Sequence, residues 1–130
     1  MDNQHPMNHL SLLVWNVQGA GSRDFRPTLK ELLRNYKPTI LALLETRISG
    51  ERANEACNNI GFDGKFRIGA QGFSGGIWMF WKAGSITVNI IISHPQYITL
   101  EVVLYGRMTG YLLLFTIAPK KLQEKNFGPS

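Results

Sequence analysis

Two short apolar runs on either side of one amphipathic stripe constrain this chain more than any other feature. Residues 10–17 form an apolar run that is too short for a typical helix and is closed by glycines, which predicts a buried strand. Between Pro27 and Pro38, four residues repeat at the spacing of one helix face: Leu29, Leu32, Leu33 and Tyr36. Residues 39–45 are a second apolar run, with an acid at its end. The order strand, helix, strand predicts a βαβ unit.

The pattern changes after this unit. Residues 51–60 carry alanine, cysteine and isoleucine at helical spacing, and Gly61 follows where a C-terminal cap is expected. Five β-type segments then alternate with turn sequences: residues 66–68, 76–81, 86–92, 97–105 and 111–117. The sequence therefore predicts an α/β (α+β) fold in which a mixed sheet carries its helices on one face.

Apolar residues are too numerous for one face of that sheet. Trp78 and Phe80 share a face at strand spacing, and we expect them in the core. Six further residues cannot all face two short helices: Val14, Leu41, Leu43, Ile77, Ile90 and Ile92. A sheet that is apolar on both faces needs a second layer, and no sequence remains to supply one. We therefore expect an exposed apolar face, which predicts self-association or dependence on a partner.

Composition excludes several classes of protein. The chain has 130 residues, 44% hydrophobic and 18% charged, which fits one globular domain. Its single cysteine, Cys57, excludes an intramolecular disulfide and a zinc site built from several cysteines. A secretory signal is not visible, and no apolar stretch approaches the roughly 20 residues that cross a bilayer. We expect a nuclear or cytoplasmic protein without a membrane partner. The formal charge of +5 is scattered along the chain, so it is weak evidence for a polyanionic partner.

Two polar residues end the predicted parallel strands. Asn16 lies at the end of the first strand and Glu45 at the end of the second. Functional groups gather at the carboxyl ends of strands in open α/β sheets. A carboxylate beside a neutral amide suits a hard cation such as Mg²⁺, which takes one or two protein carboxylates and keeps water and phosphate oxygens as its other ligands. The structural alternative is a capped strand end and a surface acid.

Three other sequence patterns are weaker evidence for a functional site than Asn16 and Glu45. Gly19 and Gly21 outline a dinucleotide-binding fingerprint, but Asp24 occupies its third glycine position. Ser74 lies in a G-x-S-x-G sequence, yet a β-type segment follows where the nucleophile motif needs a helix. No carboxylate is placed beside any of the three histidines, and we expect them to be exposed bystanders: His5, His9 and His94.

Four sequence segments occur one after another, and the ordered set is more specific evidence for a family than any single segment. They are residues 13–19, 37–47, 61–63 and 72–78. Together they resemble the N-terminal half of the endonuclease/exonuclease/phosphatase family, and within it the endonuclease domain that opens plant LINE-type (non-LTR) retrotransposon polyproteins. The likeness covers residues 10–119, a truncated domain that we expect between a polar N-terminal lead, residues 1–9, and a short C-terminal tail, residues 120–130.

The resemblance implies a fold and a chemistry. The fold is a four-layer α/β/β/α sandwich, of which this chain would form the N-terminal half. The implied activity is hydrolysis of phosphodiesters with a divalent metal, usually Mg²⁺, and the implied partner is DNA. The asparagine of the family maps to Asn16, which would orient metal or phosphate, and its metal-ligating glutamate maps to Glu45. A histidine activates water in such an enzyme, and an aspartate orients that histidine.

The later motifs of the family are absent from this sequence. They comprise a tyrosine after a middle strand, an Asp-x-Asn pair, a further aspartate and a closing Asp-His. Here residues 114–119 contain no tyrosine or histidine, and all three aspartates lie in the first half: Asp2, Asp24 and Asp63. A missing general base costs about 10²–10⁴-fold in rate. We therefore expect little or no activity from the chain alone. Two alternatives stay open: an active enzyme completed by dimerisation or a longer reading frame, and a non-catalytic nucleic-acid-binding module.

Overall fold

The computed structural model describes residues 10–70, 75–105 and 110–119. Within these ranges the chain forms two helices and seven strands, in the order β1 (Leu12–Asn16), α1 (Phe25–Tyr36), β2 (Ile40–Leu44), α2 (Gly50–Asn58), β3 (Gly64–Ile68), β4 (Ile77–Trp81), β5 (Ile86–His94), β6 (Tyr97–Tyr105) and β7 (Gly110–Ile117). None of the described helices is long and apolar enough to cross a membrane. The predictions for the N-terminal lead, the C-terminal tail, Ser74, His5 and His9 concern residues outside the described ranges.

The first sheet has the strand order β1-β2-β4-β3. Strands β1 and β2 are parallel, with Leu12 opposite Ile40 and Asn16 opposite Leu44. Strand β4 lies antiparallel to both β2 and β3. The predicted βαβ unit is therefore confirmed, and so is the mixed sheet. Strand β2 is buried along its whole length because it has a neighbour on each side and a layer on each face.

Both helices pack on one face of the first sheet. Their buried side chains form one apolar cluster with four residues of the sheet: Leu41, Leu43, Trp78 and Phe80. Trp78 and Phe80 therefore lie in the core, as expected. Phe25 of α1 stacks on Trp15 at 5.7 Å between ring centroids and meets the edge of Trp78 at 6.4 Å. Of the predicted helical stripe, only Leu29 is fully buried, and its last member, Tyr36, is 63% exposed.

The last three strands form a separate sheet, with the order β5-β6-β7. Its inner face packs against the free face of the first sheet in a second apolar cluster, which includes Ala42, Leu44, Met79, Leu100 and Val102. The expectation that no sequence remains to cover this face is therefore wrong. Turn signals between antiparallel strands are the same whether the chain stays in one sheet or crosses to another, so the pattern did not reveal the change of sheet.

The resulting layers are helices, first sheet and second sheet, an α+β arrangement consistent with a partial α/β sandwich. An exposed apolar surface does remain, in a smaller form than expected. Leu12 and Val14 of β1 are 41% and 43% exposed, and Leu112 and Leu114 of β7 are more exposed still. Since Leu13 and Trp15 pack on the helix side, Leu12 and Val14 lie on the opposite, inter-sheet side of β1.

Candidate functional site

The carboxyl ends of β1 and β2 meet at one edge of the first sheet. Asn16 is the register partner of Leu44, the residue before Glu45. Beyond the strands, Val17 donates its N–H to the Leu44 carbonyl at 2.8 Å and Gly19 donates to the Glu45 carbonyl at 2.8 Å. The structure therefore brings together the backbones at the two residues that the sequence singled out, Asn16 and Glu45. Asn16 is exposed, and the Glu45 side chain is 27% exposed.

The backbone at this edge is unusual. Gln18, Glu45 and Arg47 have φ values of 56°, 56° and 63°, in the left-handed region that non-glycine residues rarely adopt. A left-handed residue at Glu45 interrupts the in-and-out alternation of β2 at the point where the strand ends. Each such residue costs on the order of 1–3 kcal/mol and persists only where its surroundings hold it, and such positions cluster at functional sites.

A buried contact holds the segment after Glu45. Thr46 donates its N–H to the Gly76 carbonyl at 3.3 Å, and Arg47 donates to the Gly75 carbonyl at 2.9 Å. The Thr46 side chain is fully buried, and its Oγ1 has no hydrogen-bond partner among the residues that the structure describes. A Cβ on residue 76 would overlap this oxygen, and Gly76 also has a φ of +98°. Only glycine therefore fits beside Thr46.

Glu45 has one charged neighbour. The Arg47 Nη2 lies 3.5 Å from the Glu45 Oε1, and this is the one ion pair within the described ranges. At this length and exposure the pair contributes little to stability. It does place a guanidinium beside the carboxylate at the sheet edge, where both can reach solvent.

The donors at this edge match the ligand preference of Mg²⁺. Glu45 offers a carboxylate and Asn16 an amide oxygen, and such an ion keeps several waters and needs only one or two protein carboxylates. No group of three or more His, Cys, Asp or Glu residues that could hold a metal is present in the described part of the chain. A cation at this edge would therefore take at most two His, Cys, Asp or Glu ligands from the described part of the chain.

The other sequence motifs do not form sites. Gly75 and Gly76 lead directly into β4, so the G-x-S-x-G sequence is not followed by a helix. Beyond α2 the chain continues in antiparallel strands, unlike a dinucleotide-binding fold. His94 stacks on Tyr97 at the β5–β6 turn, and its Nδ1 accepts the Gln96 N–H at 3.0 Å. Trp78 and Phe80 are fully buried, so their rings cannot stack on the bases of a nucleic acid.

Two features of this region were not predicted. The contact between Thr46 and Gly76 joins residues far apart in sequence, and neither residue carries a signal of it beyond glycine at a turn. Three arginines are scattered in sequence: Arg23 before α1, Arg26 in α1 and Arg52 in α2. The fold places all three around one pocket. Clustering of this kind depends on how the helices pack.

No protein-family model matches this chain, and no curated protein matches it. Solved structures do. One is the AP endonuclease of Leishmania major, with a TM-score of 0.59, 14% identity, and coverage of 92% of this chain and 45% of that chain. Others are truncated Caenorhabditis elegans TDP2 (TM-score 0.52, 15% identity, 90% and 49% coverage) and D. rerio TDP2 complexed with a single-strand DNA product (0.50, 17%, 92% and 56%).

These neighbours are members of the exonuclease/endonuclease/phosphatase superfamily. The fold of this chain is similar to theirs. At such low identity the likeness shows the fold alone, and the chain spans about half the length of the structures that it matches. The fold implied by the sequence resemblance is confirmed to that extent.

Proposed function

We propose that this chain carries the Asn16–Glu45 part of a Mg²⁺-dependent phosphodiesterase centre that acts on DNA. The observation that carries the proposal is the register of β1 and β2, which sets Asn16 opposite Leu44 and next to Glu45 at the carboxyl edge of parallel strands. The nuclease-like fold supports it, since nucleases of this fold are typically metal-dependent.

Each residue at the edge has a separate role in this proposal. Glu45 would hold the cation, and Asn16 would hold the cation or orient the phosphate. When bound, such an ion offsets charge on the phosphate undergoing hydrolysis. Arg47 places a positive charge beside the Glu45 carboxylate. The buried Thr46–Gly76 contact fixes the turn that presents Glu45.

Among the residues that the structure describes, no histidine lies at this edge to act as a general base. His94 is the one histidine in the described ranges, and it lies in the second sheet with its Nδ1 already accepting a hydrogen bond. A base near the sheet edge would have to come from elsewhere, and proton transfer by a positioned group is worth about 10²–10⁴-fold. We therefore expect little or no hydrolysis by this chain alone.

Two further parts of the proposal concern origin and assembly. The ordered segments shared with plant LINE-type retrotransposon endonucleases support an origin in such an element. Translating the genomic sequence downstream in all frames tests this, because Asp-x-Asn and Asp-His motifs should follow there.

Self-association is supported by Leu12 and Val14, which lie exposed on strand β1 at the edge of the first sheet. Sedimentation velocity of the wild type and of Leu12→Ser would detect it.

Plasmid nicking tests the catalytic part of the proposal. Supercoiled plasmid is incubated with the full chain and Mg²⁺, with and without a chelator, for the wild type, Glu45→Gln and the exposed control Glu31→Gln. We expect at most slow, chelator-sensitive nicking that Glu45→Gln removes and Glu31→Gln keeps. Fast nicking would refute the expectation of weak activity, and nicking unaffected by Glu45→Gln would refute the assigned site. Plasmid binding without nicking would favour the alternative of a binding module.

A further inference from the structure

A pocket of about 210 Å³ lies between the start of α1 and the face of α2. Arg23 and Arg26 line it from the beginning of α1, Arg52 and Glu55 line it from α2, and Gly21 and Ser22 line it from the loop after β1. Pockets for drug-sized ligands usually measure about 300–1,000 Å³, so this one suits a smaller group. Its lining gives three positive charges against one negative charge.

The three arginines that line the pocket are exposed. Among the residues that the structure describes, none of the side chains of Arg23, Arg26 and Arg52 makes an ion pair or a hydrogen bond. Like charges gathered around one space repel each other, and a bound anion would relieve that repulsion. Guanidinium groups bind phosphate oxygens in pairs, with a geometry that lysine cannot reproduce.

The start of α1 adds to the positive potential. The first turn of α1 contains no acidic residue, and its N-cap residue, Asp24, makes no side-chain capping hydrogen bond. The first backbone N–H groups of the helix are therefore not capped by this side chain, although the Asp24 carboxylate still places one negative charge at this end of the helix. Anions are commonly bound at such helix starts, and here the arginines supply the additional charge.

Gly21 lies against the end of the Arg52 side chain. A Cβ on residue 21 would overlap the Arg52 guanidinium and would lie 3.1 Å from the Ile48 Cγ2. The backbone of Gly21 is not in the left-handed region, so a side chain here would act through space, by moving the flexible end of Arg52, and not through conformation. The absence of a side chain allows Arg52 to lie across the loop and reach the pocket from α2.

We propose that this pocket binds a phosphate group, and that the group belongs to a polynucleotide held across the candidate site. The loop that lines the pocket continues directly from the Asn16 edge, since Ala20 donates its N–H to the Thr46 carbonyl at 2.8 Å. A second phosphate contact beside the Asn16–Glu45 edge favours a chain of nucleotides over a small phosphoester. Assigning the phosphate to a polynucleotide rests on the proposed function, whereas phosphate binding by the pocket does not.

Binding measured without metal separates this proposal from the catalytic one. A fluorescent ten-nucleotide DNA strand is titrated with the full chain in chelator at several salt concentrations. Inorganic phosphate is added as a competitor and is also titrated alone by isothermal titration calorimetry. The variants are Arg52→Ala, Gly21→Ala and the control Arg34→Ala, which removes a positive charge from the last turn of α1, outside the pocket. Circular dichroism and thermal unfolding confirm that each variant is folded.

We expect Arg52→Ala to weaken oligonucleotide binding about tenfold and to lower the slope of log K against log salt by about 1, while Arg34→Ala has a much smaller effect. Gly21→Ala should weaken binding although it removes no charge. Direct binding of inorganic phosphate without oligonucleotide binding would assign the pocket to free phosphate or small phosphoesters and overturn the polynucleotide. Equal losses of oligonucleotide affinity in Arg52→Ala and Arg34→Ala would contradict phosphate binding by the pocket. An Arg52→Ala variant that binds both ligands like the wild type would contradict it as well. Loss of nicking in Glu45→Gln bears on the catalytic proposal alone.

Discussion

The hydroxyl oxygen of Thr46 occupies the space that a side chain on Gly76 would need. This contact joins the turn after β2 to the start of β4, immediately beside Glu45. It explains why glycine stands at residue 76, beside a buried hydroxyl that has no hydrogen-bond partner among the residues described. An unsatisfied buried polar group costs about 1–3 kcal/mol, so the packing around Thr46 must offset that cost.

Replacing Gly76 by alanine should destabilise the protein by about 2–4 kcal/mol. The new methyl group would overlap Thr46, and the φ of +98° is strained for any side chain. Gly84→Ala is the matched control, because nothing lies within 4 Å of its Cβ position and its φ is not positive. Urea denaturation measures both free energies of unfolding. Equal values for the two variants would contradict the described contact.

The packing of the second sheet on the first can be tested with two leucines. Leu100 is fully buried between the sheets, whereas Leu112 is 65% exposed on the neighbouring strand. We expect Leu100→Ala to lower the free energy of unfolding by about 2–5 kcal/mol and Leu112→Ala to change it by less than about 0.5 kcal/mol. A small effect at Leu100 would mean that the sheets do not pack as described.

The sequence predicted much of this fold because its signals are local. The βαβ unit follows from two apolar runs and one helical stripe, and Asn16 and Glu45 were proposed as site residues because each ends such a run. The second sheet was missed because strands β5 to β7 carry the same alternation in either sheet. The Arg23–Arg26–Arg52 cluster was missed because it depends on how α1 and α2 pack, which no local pattern records.

Cys57 should be a poorly reactive thiol with a measurable influence on stability at alkaline pH. Burial raises its pKa, although hydrogen bonding from Arg67, whose Nη1 lies 3.5 Å from the sulfur, and the charges of Arg67 and Lys65 act in the opposite direction. The folded state then holds the thiol proton more tightly than the unfolded state does. The contribution of the protonated thiol to the free energy of unfolding is therefore complete below the ordinary thiol pKa, and it is lost as pH rises through the raised pKa.

Alkylation and denaturation would check this prediction. Iodoacetamide should modify native Cys57 at least about tenfold more slowly than it modifies the urea-unfolded chain at the same pH, since only the thiolate reacts. In Cys57→Ala, the fall in stability between about pH 8 and about pH 10 should be shallower than in the wild type. Equal alkylation rates in the two states would show that the thiol is accessible and not shifted.

Cation binding at the Asn16–Glu45 edge is the central claim, and paramagnetic broadening by Mn²⁺ tests it most directly. In ¹H–¹⁵N spectra of the full chain, substoichiometric Mn²⁺ should first broaden the amides of residues 16–19 and 45–47. The broadening should disappear in Glu45→Gln, persist in Glu31→Gln, and be reversed by excess Mg²⁺. Broadening centred on any other carboxylate, or unchanged in Glu45→Gln, would contradict the proposed site.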